Sequence, residues 1–245
     1  MKRKVLIIYY HEVVEDGDGF SYQKIGKTKF EEQMALLKAE GYQSLFFSEL
    51  KNPIPEKAVI VSFDDGFESV YKNAAPIMKK YGIKGNIYLP TAYVGKDKFM
   101  TWDMVRELAK DGFEMQAHTH NHVDIRGLDE DGFREEIRNS NERFLSELGQ
   151  VPTAFCMPFG TYDKASVRAL KKSGRYSYLL GSYYGRKKEG KLTDTVLPRI
   201  GISEADTIEI FTKKLRGKFD WKGPLQRLRL WVKSLKKERI TEYEY

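Results

Sequence analysis

The feature that most constrains this fold is a regular alternation of short apolar runs with longer amphipathic stretches, many of which end in glycine. Apolar runs of about five residues are typical of strands that are buried on both faces, as in parallel sheets. Glycine after an amphipathic stretch is typical of a helix C-terminus. The alternation therefore predicts repeated βα units, which form either a (β/α) barrel or a doubly wound sheet.

The expected elements cover most of the chain. The predicted strands are 5–10, 42–47, 58–63, 85–89, 113–118, 153–157, 176–180 and 196–200. The predicted helices include 29–40, 69–81, 102–110, 129–148 and 163–173. The glycines that follow them are Gly41, Gly82, Gly112, Gly149 and Gly174. This number of strands in a chain of 245 residues favours one barrel, whose chemistry is expected at the C-terminal ends of the strands.

Composition excludes several other classes of protein. The 42 Lys and Arg exceed the 35 Asp and Glu by +7, but they are spread along the chain rather than massed as in a nucleic-acid binder. The single cysteine, Cys156, rules out an intramolecular disulfide. No apolar run approaches the ~18 residues of a transmembrane helix. The apolar segment 5–10 follows basic residues, as the apolar core of a signal peptide does. It is too short for a signal peptide and lacks a cleavage site, so we expect it to form the first buried strand.

Polar residues follow several predicted strands at the end where a barrel forms its site. These are His11, Asp64-Asp65-Gly66, the cluster His118, His120 and His122, Pro158-Phe159-Gly160, and Pro198-Arg199. Each group alone is compatible with an ordinary turn, since Asp, Gly and Pro are turn residues. All four histidines and the only adjacent pair of aspartates, however, fall at three strand ends. This joint placement favours a functional site.

Adjacent carboxylates at the end of a buried strand repel one another unless a cation or a proton lies between them. Because neighbouring strand residues point to opposite faces, Asp64 and Asp65 can take different roles, one at a metal and one at a water molecule. His118 and His122 share a face if the segment turns helically, whereas His120 competes for the same role if the segment stays extended. Two imidazoles and one carboxylate form an open site for zinc, and also for iron, cobalt or nickel.

Three of these motifs resemble those of a known family. They are Ser62-Phe63-Asp64-Asp65-Gly66, His118-Thr119-x-x-His122 and Met157-Pro158-Phe159-Gly160. The flanking Tyr10-His11-x-Val13 and Thr101-Trp102-Asp103 agree with the same pattern. Over residues 5–215 the chain resembles the polysaccharide deacetylases, which are carbohydrate esterase family four with the NodB-homology domain.

The resemblance implies a distorted (β/α)7 barrel in one domain over residues 1–215. The remaining residues, 216–245, are predicted from their own pattern to form a basic amphipathic extension. The resemblance also implies that Asp65, His118 and His122 are the metal ligands and that Asp64 is the general base acting on water at the metal. A backbone N–H near Phe159, beside Pro158, would stabilise the oxyanion together with the metal. The implied reaction removes an acetyl group from a sugar and releases acetate.

Two positions depart from the common family pattern. Cys156 occupies the place of an arginine that orients the base, and Arg199 occupies the place of the late histidine that serves as general acid. A branch that resembles the biofilm poly-N-acetylglucosamine deacetylases carries an N-terminal Tyr-His-x-Val motif instead, which matches Tyr10-His11-Glu12-Val13. The resemblance therefore assigns the acid role to His11. Arg199 is expected to orient Asp64, to bind substrate or to form a structural salt bridge, and Cys156 is expected to be a small buried residue.

The C-terminal extension has an apolar stripe at helical spacing. The stripe consists of Leu225, Leu228, Trp231, Val232 and Leu235, with arginines and lysines between its members. Two interpretations remain open: a last helix packed on the barrel with a solvated basic face, and a basic amphipathic helix over residues 222–240 that rests on an anionic membrane.

The predicted function is removal of N-acetyl groups from an amino-sugar polysaccharide or glycolipid by a hydrolase with one divalent metal, with zinc favoured. The alternatives are a xylan-type O-acetyl esterase and a divergent member that binds a sugar or glycolipid without turnover. The expected partners are an acetylated amino-sugar polymer or a lipid-linked saccharide, and no nucleic acid. The expected location is the cytoplasm or the membrane surface, or outside the cell if a signal peptide has been removed.

Overall fold

The computed structural model describes residues 3–51 and 53–235. Its strands are β1 Lys4–Tyr10, β2 Glu12–Val14, β3 Lys24–Gly26, β4 Gln43–Ser44, β5 Ala58–Phe63, β6 Gly85–Leu89, β7 Glu114–Ala117, β8 Ala154–Cys156, β9 Tyr178–Leu180, β10 Lys187–Lys188 and β11 Ile200–Gly201. Its α-helices are α1 Lys27–Ala39, α2 Ala75–Tyr81, α3 Trp102–Lys110, α4 Glu130–Leu148, α5 Lys164–Lys172, α6 Ile208–Leu215 and α7 Lys222–Leu235.

The sheet is a ring of parallel strands. Its order is β1-β5-β6-β7-β8-β9, and β10 adds an antiparallel pair to the outer edge of β1. Leu197 bridges Leu180 at the end of β9, and β11 pairs in parallel with Ile8 and Tyr9 of β1. The segment 197–201 therefore joins the two edges and completes the expected distorted (β/α)7 barrel.

The strands are buried on both faces, as their continuous apolar character predicts. In β1, Val5 and Ile7 belong to a core inside the barrel, whereas Leu6, Ile8 and Tyr10 belong to the core beneath the helices. The other strands alternate in the same way, because successive side chains point to opposite faces. The alternation of side-chain direction continues past the end of β5. The Asp64 side chain therefore points toward the barrel interior, as those of Ile60 and Ser62 do.

Five predicted strands are shorter than expected, and two of them, 42–47 and 196–200, form strand over less than half of their predicted length. The segment 42–47 pairs only over β4, because a 3-10 helix begins at Phe47, whose fully buried ring fills the barrel interior near Tyr88 and Tyr178. The segment 196–200 pairs continuously only at its end. Pro198 cannot donate a backbone hydrogen bond, which interrupts the ladder between Leu197 and β11.

The predicted helices lie close to their expected bounds. The predicted helix 69–81 instead begins with a π-helical turn, Val70–Ala74, before α2. Pro76, near the start of α2, lacks the N–H that would continue a regular ladder from the preceding turn. Gly82 and Gly149 end α2 and α4 with positive φ angles of 67°, as the glycine pattern predicts.

Helix α7 rests on the barrel through one side. The backbone N–H of Tyr184 donates to Oε1 of Gln226 at 2.8 Å, and the Arg227 guanidinium lies 5.6 Å from the Tyr183 ring centroid. The apolar stripe is only partly covered: Leu225, Leu228 and Trp231 are each more than half exposed, although Leu228 and Trp231 also line a cavity of about 1070 Å³ that α7 forms with α5 and the barrel. Residues 236–245 of the predicted extension lie outside the described residues. No helix among those described is long and apolar enough to cross a membrane.

Candidate metal centre and active site

A small cavity lies at the C-terminal ends of the barrel strands, where the sequence predicts the site. Its volume is about 90 Å³. The side chains and backbone that line it come from Tyr9, His11, Tyr22, Gln23, Asp64, Asp65, His118, His122, Phe159, Gly160, Ser182, Gly201 and Ile202. The structure thus brings together residues from segments far apart in the chain.

Asp65 faces both predicted histidine ligands. Its Oδ1 atom lies 3.4 Å from Nε2 of His118 and 3.2 Å from Nε2 of His122. All three side chains are buried, and their ligand atoms lie within 4.8 Å of one another. Burial opposes ionisation of Asp65, but the neighbouring imidazoles of His118 and His122 hold the pKa of this carboxyl well below its usual range. The carboxylate is therefore ready to bind a cation.

The donor atoms of this cluster fit a divalent metal. Nδ1 of His118 lies 2.8 Å from the carbonyl oxygen of Cys156, so Nδ1 carries the proton and Nε2 presents its lone pair toward Asp65. Asp65 Oδ1 is buried and has no conventional hydrogen-bond donor among the described residues. A buried anionic oxygen that faces imidazole nitrogens is what a metal site with neutral histidine ligands requires.

Left-handed backbone conformations, rather than a helical turn, bring the histidines together. Thr119 and His122 have φ angles of 63° and 54°, and the segment that follows β7 is not helical. The conditional prediction of a helical His-x-x-x-His face is therefore wrong. His120 points elsewhere, with its Nδ1 2.8 Å from Oγ1 of Thr91. Asp65 also has a positive φ, 69°, which turns it away from the direction that Asp64 takes.

Asp64 is held by Arg199 on the other side of the cavity. Nη1 and Nη2 of Arg199 donate to Oδ1 and Oδ2 of Asp64 at 2.6 and 2.8 Å. Burial opposes ionisation of Asp64, but the guanidinium lowers the pKa of the carboxyl below its usual value. This contact is the buried salt bridge that was one of the roles expected for Arg199, and it also fixes the orientation of the Asp64 carboxylate.

Two tyrosine rings enclose the Arg199 guanidinium. Its central carbon lies 4.3 Å from the Tyr9 ring centroid and 5.3 Å from that of Tyr88. Nε donates to the Gly181 carbonyl at 3.2 Å, and Nη2 donates to Oγ of Ser182 at 3.3 Å. The sequence motifs do not include these tyrosines, although the alternation of side chains along β1 places Tyr9 on the interior face with Val5 and Ile7.

Cys156 is fully buried, as predicted, and lies beside the carboxylate pair. Its Sγ is 4.0 Å from Oδ2 of Asp64, and burial raises the pKa of the thiol well above its ordinary value. Asp64, His118 and Cys156 form a second cluster of potential ligands, but both oxygens of Asp64 already accept hydrogen bonds from Arg199. The cluster of Asp65 with the two histidines therefore fits a metal better.

His11 borders the same cavity from the end of β1. Its half-buried ring packs edge-on against Tyr9, with centroids 5.7 Å apart. Because Tyr9 pairs with Gly201 in β11, His11 lines the cavity together with Gly201 and Ile202 of the segment that closes the barrel.

Phe159 belongs to the Pro158–Gly160 turn that follows β8, and it borders the same cavity as His11. Its ring centroid is 4.7 Å from that of His122, and its φ angle of 58° is left-handed. Phe159 and Gly160 line the cavity. Pro158 is buried outside the lining, where its carbonyl accepts from the Thr161 N–H at 3.2 Å.

Comparisons with known proteins agree with the motifs. The family model for polysaccharide deacetylase matches residues 51–178. YxkH of Bacillus subtilis, a relative named for this family, is 30% identical over 178 residues, which are 70% of this chain and 62% of that protein. The Staphylococcus aureus poly-beta-1,6-N-acetyl-D-glucosamine N-deacetylase is 27% identical over 216 residues, 79% of this chain and 72% of that protein.

The fold has counterparts among solved structures. The Streptococcus pyogenes deacetylase PplD, solved in complex with acetate, superposes with a TM-score of 0.79 at 23% identity, over 88% of this chain and 99% of that one. This likeness establishes the fold. The match of the family model to more than half of the chain establishes the relationship: the chain belongs to the polysaccharide deacetylase family.

Proposed function

We propose that this protein is a metal-dependent hydrolase that removes N-acetyl groups from an amino-sugar polymer. The proposal rests on one observation: two adjacent carboxylates in one cavity have different partners. Asp65 faces the imidazoles of His118 and His122, whereas Asp64 is held by Arg199. This arrangement separates a metal ligand from a general base, a combination that can hydrolyse an amide at neutral pH.

Asp65, His118 and His122 would hold one divalent ion, and zinc suits two imidazoles and one carboxylate, with cobalt, nickel and iron as alternatives. Such an ion supplies Lewis-acid polarisation of the acetyl carbonyl and eases ionisation of water. The cavity is small, about 90 Å³, far below the ~300–1,000 Å³ of pockets that enclose whole ligands. That space suits an acetyl group and one water molecule.

The remaining residues take complementary roles in the proposed reaction. Asp64, kept ionised by Arg199, accepts a proton from the attacking water as its oxygen bonds to the acetyl carbon. His11 donates a proton to the sugar nitrogen as the C–N bond breaks, which leaves a free amine and acetate. The backbone at Phe159 borders the same space and is proposed to stabilise the oxyanion.

The relative from Staphylococcus aureus supports an acetylated glucosamine polymer as the substrate class. The test is acetate release from β-1,6-linked N-acetylglucosamine oligomers, chitooligosaccharides and acetylxylan by zinc-loaded protein. Release from an amino-sugar oligomer, abolished by Asp64→Asn, would support the proposal. Release from acetylxylan alone would identify an O-acetyl esterase, and oligomer binding without any release would identify a binding protein.

We propose in addition that α7 and the basic residues up to 240 contact an anionic membrane, where a lipid-linked saccharide would be within reach. Residues 236–240 of this segment lie outside the described residues. The support is the exposed stripe of Leu225, Leu228 and Trp231 on a helix that also carries arginine and lysine. Apolar side chains flanked by basic ones suit the interface of an anionic bilayer.

The membrane proposal is tested with vesicles of phosphatidylcholine alone or mixed with phosphatidylglycerol. We expect sedimentation with the anionic vesicles only, and its loss in Leu228→Glu and Trp231→Glu. Val151→Glu alters an exposed apolar residue remote in sequence and serves as the matched control. Equal binding by all four proteins would contradict the membrane role of α7.

A further inference from the structure

An exposed aromatic pair lies at the mouth of the candidate active site. Phe20 and Tyr22 are 63% and 64% exposed, and their rings pack edge to face with centroids 5.2 Å apart. Tyr22 also lines the catalytic cavity beside His11. We infer that Phe20 and Tyr22 form a platform on which a pyranose ring of the substrate stacks; this inference rests on the proposed function.

The size of the cavity argues that a sugar must bind outside it. A volume of about 90 Å³ is well below the ~300–1,000 Å³ of pockets that enclose whole ligands. The acetyl group can enter this space, whereas the pyranose ring that carries it stays at the rim. Tyr22 lines the same cavity as the proposed acid His11 and is largely exposed, so the pyranose ring that carries the acetyl group would lie against it.

The loop that carries the pair is anchored by polar contacts. The Glu12 N–H donates to the Gln23 carbonyl at 2.9 Å, and the Gln23 N–H donates to Oγ of Ser21 at 3.1 Å. Lys24 forms an ion pair with Asp18 at 3.0 Å. These contacts hold the two ends of the loop in place. The loop backbone thus supports the two aromatic rings, which face solvent.

The chemistry of the pair suits a carbohydrate. One face of a pyranose ring carries mainly C–H bonds, and an aromatic ring offers an apolar surface of similar size. The Tyr22 hydroxyl can also exchange hydrogen bonds with sugar hydroxyls. Large apolar side chains that remain exposed beside a catalytic cavity are a common mark of a binding surface.

The platform is tested by kinetics on two substrates. We expect Tyr22→Ala and Phe20→Ala to raise KM for a β-1,6-linked N-acetylglucosamine tetramer by about tenfold, with kcat little changed, as for truncation of an aromatic anchor. The kcat/KM for 4-nitrophenyl acetate, which has no sugar, should fall much less than the kcat/KM for the tetramer in both variants. Tyr22→Trp should preserve the KM for the tetramer, because the aromatic surface remains.

Trp221→Ala is the matched control, since Trp221 is 64% exposed and lies outside the cavity lining. An unchanged KM in Tyr22→Ala, an equal loss on the aryl ester, or an equal effect of Trp221→Ala would overturn the platform. Circular dichroism checks that each variant folds. Comparing the KM of Tyr22→Trp with that of Tyr22→Ala separates loss of the aromatic surface from the effect of substituting position 22.

Equilibrium binding separates this inference from the proposed function. The tetramer is titrated by calorimetry into Asp64→Asn protein with and without Tyr22→Ala. Weaker binding with Tyr22→Ala supports the platform, even if the wild type releases no acetate and the deacetylase proposal fails. Acetate release by the wild type with equal binding in both titrations overturns the platform alone, and absence of binding to either protein also overturns it.

Discussion

Arg199 binds Asp64 through two parallel hydrogen bonds of 2.6 and 2.8 Å, although the two residues are 135 positions apart in the chain. Both side chains are buried, and the guanidinium lies between the rings of Tyr9 and Tyr88. A planar fork that matches both carboxylate oxygens fixes the orientation of Asp64 as well as its charge. The family resemblance implies an arginine at the position of Cys156 for this task, and we propose that Arg199 takes it from a different segment of the chain.

The first prediction concerns this pair. Arg199→Lys keeps the positive charge but cannot bind both carboxylate oxygens in parallel, so the base loses its orientation. We expect turnover of the amino-sugar oligomer to fall on the order of 10²-fold. Arg199→Ala leaves a buried carboxylate unpaired, and the free energy of unfolding should fall by about 3–5 kcal/mol. Initial rates and urea unfolding measure the two effects.

Arg186→Lys serves as the control for this prediction. Arg186 pairs with Asp220 at 2.9 Å on a partly exposed surface. Such pairs contribute about 0–1 kcal/mol, and activity should not change. Normal turnover in Arg199→Lys would show that the fork does not position the base.

The second prediction separates the two aspartates by metal content. Asp65→Asn and His122→Ala each remove a ligand, so the metal measured by plasma mass spectrometry should fall from one per chain to nearly none. Asp64→Asn should retain the metal, because Asp65, His118 and His122 remain, and should lose about 10²–10⁴-fold in turnover. If Asp64→Asn lost the metal and Asp65→Asn kept it, the two roles would be exchanged.

The third prediction concerns the proposed acid. An amine is a poor leaving group, so cleavage of the amide depends on protonation of the nitrogen, whereas an activated aryl acetate expels a stable phenolate. We expect His11→Ala to keep the metal, to lose ~10²-fold or more in N-deacetylation, and to lose much less on the aryl ester.

His120→Ala is the matched control for His11→Ala, since His120 contacts Thr91 and lies outside the cavity lining. It should retain both activities. Equal losses on amide and ester in His11→Ala would refute the acid role and indicate a structural contribution through Tyr9.

The fourth prediction concerns acid stability of the metal-free protein. The folded pKa values of Asp64 and Asp65 lie below the ordinary value of 3.8. The unfolded chain therefore binds more protons around and below pH 3.8, and stability falls as pH decreases through this range. Asp64→Asn should be less stable near pH 7, yet its free energy of unfolding should change less with acid. Equilibrium unfolding between pH 3 and 7 checks this.

Asp97→Asn alters an exposed carboxylate and should leave the pH profile unchanged. A profile for Asp64→Asn that runs parallel to the wild type would show that the Arg199 pair contributes nothing to the acid response.

Much of the site could be predicted from the sequence because it depends on local patterns. The apolar period of β5 places Asp64 at a strand end, and the spacing of His118 and His122 after β7 marks a ligand pair. The glycines after α2 and α4 mark helix ends, since the required left-handed backbone favours glycine. Each of these signals lies within a few residues of the feature that it predicts.

Tertiary structure decided the features that depend on distant segments. Arg199 reaches Asp64 only because the segment 197–201 closes the barrel beside β1. No local sequence pattern encodes this closure. His118 and His122 converge, and His120 points elsewhere, because Thr119 and His122 have left-handed backbone conformations. Residues other than glycine adopt this conformation only where the surrounding packing imposes it. The sequence by itself thus determined which residues stand at the strand ends, and the closed barrel determined which of them meet, because side-chain partners are set by packing across the whole ring.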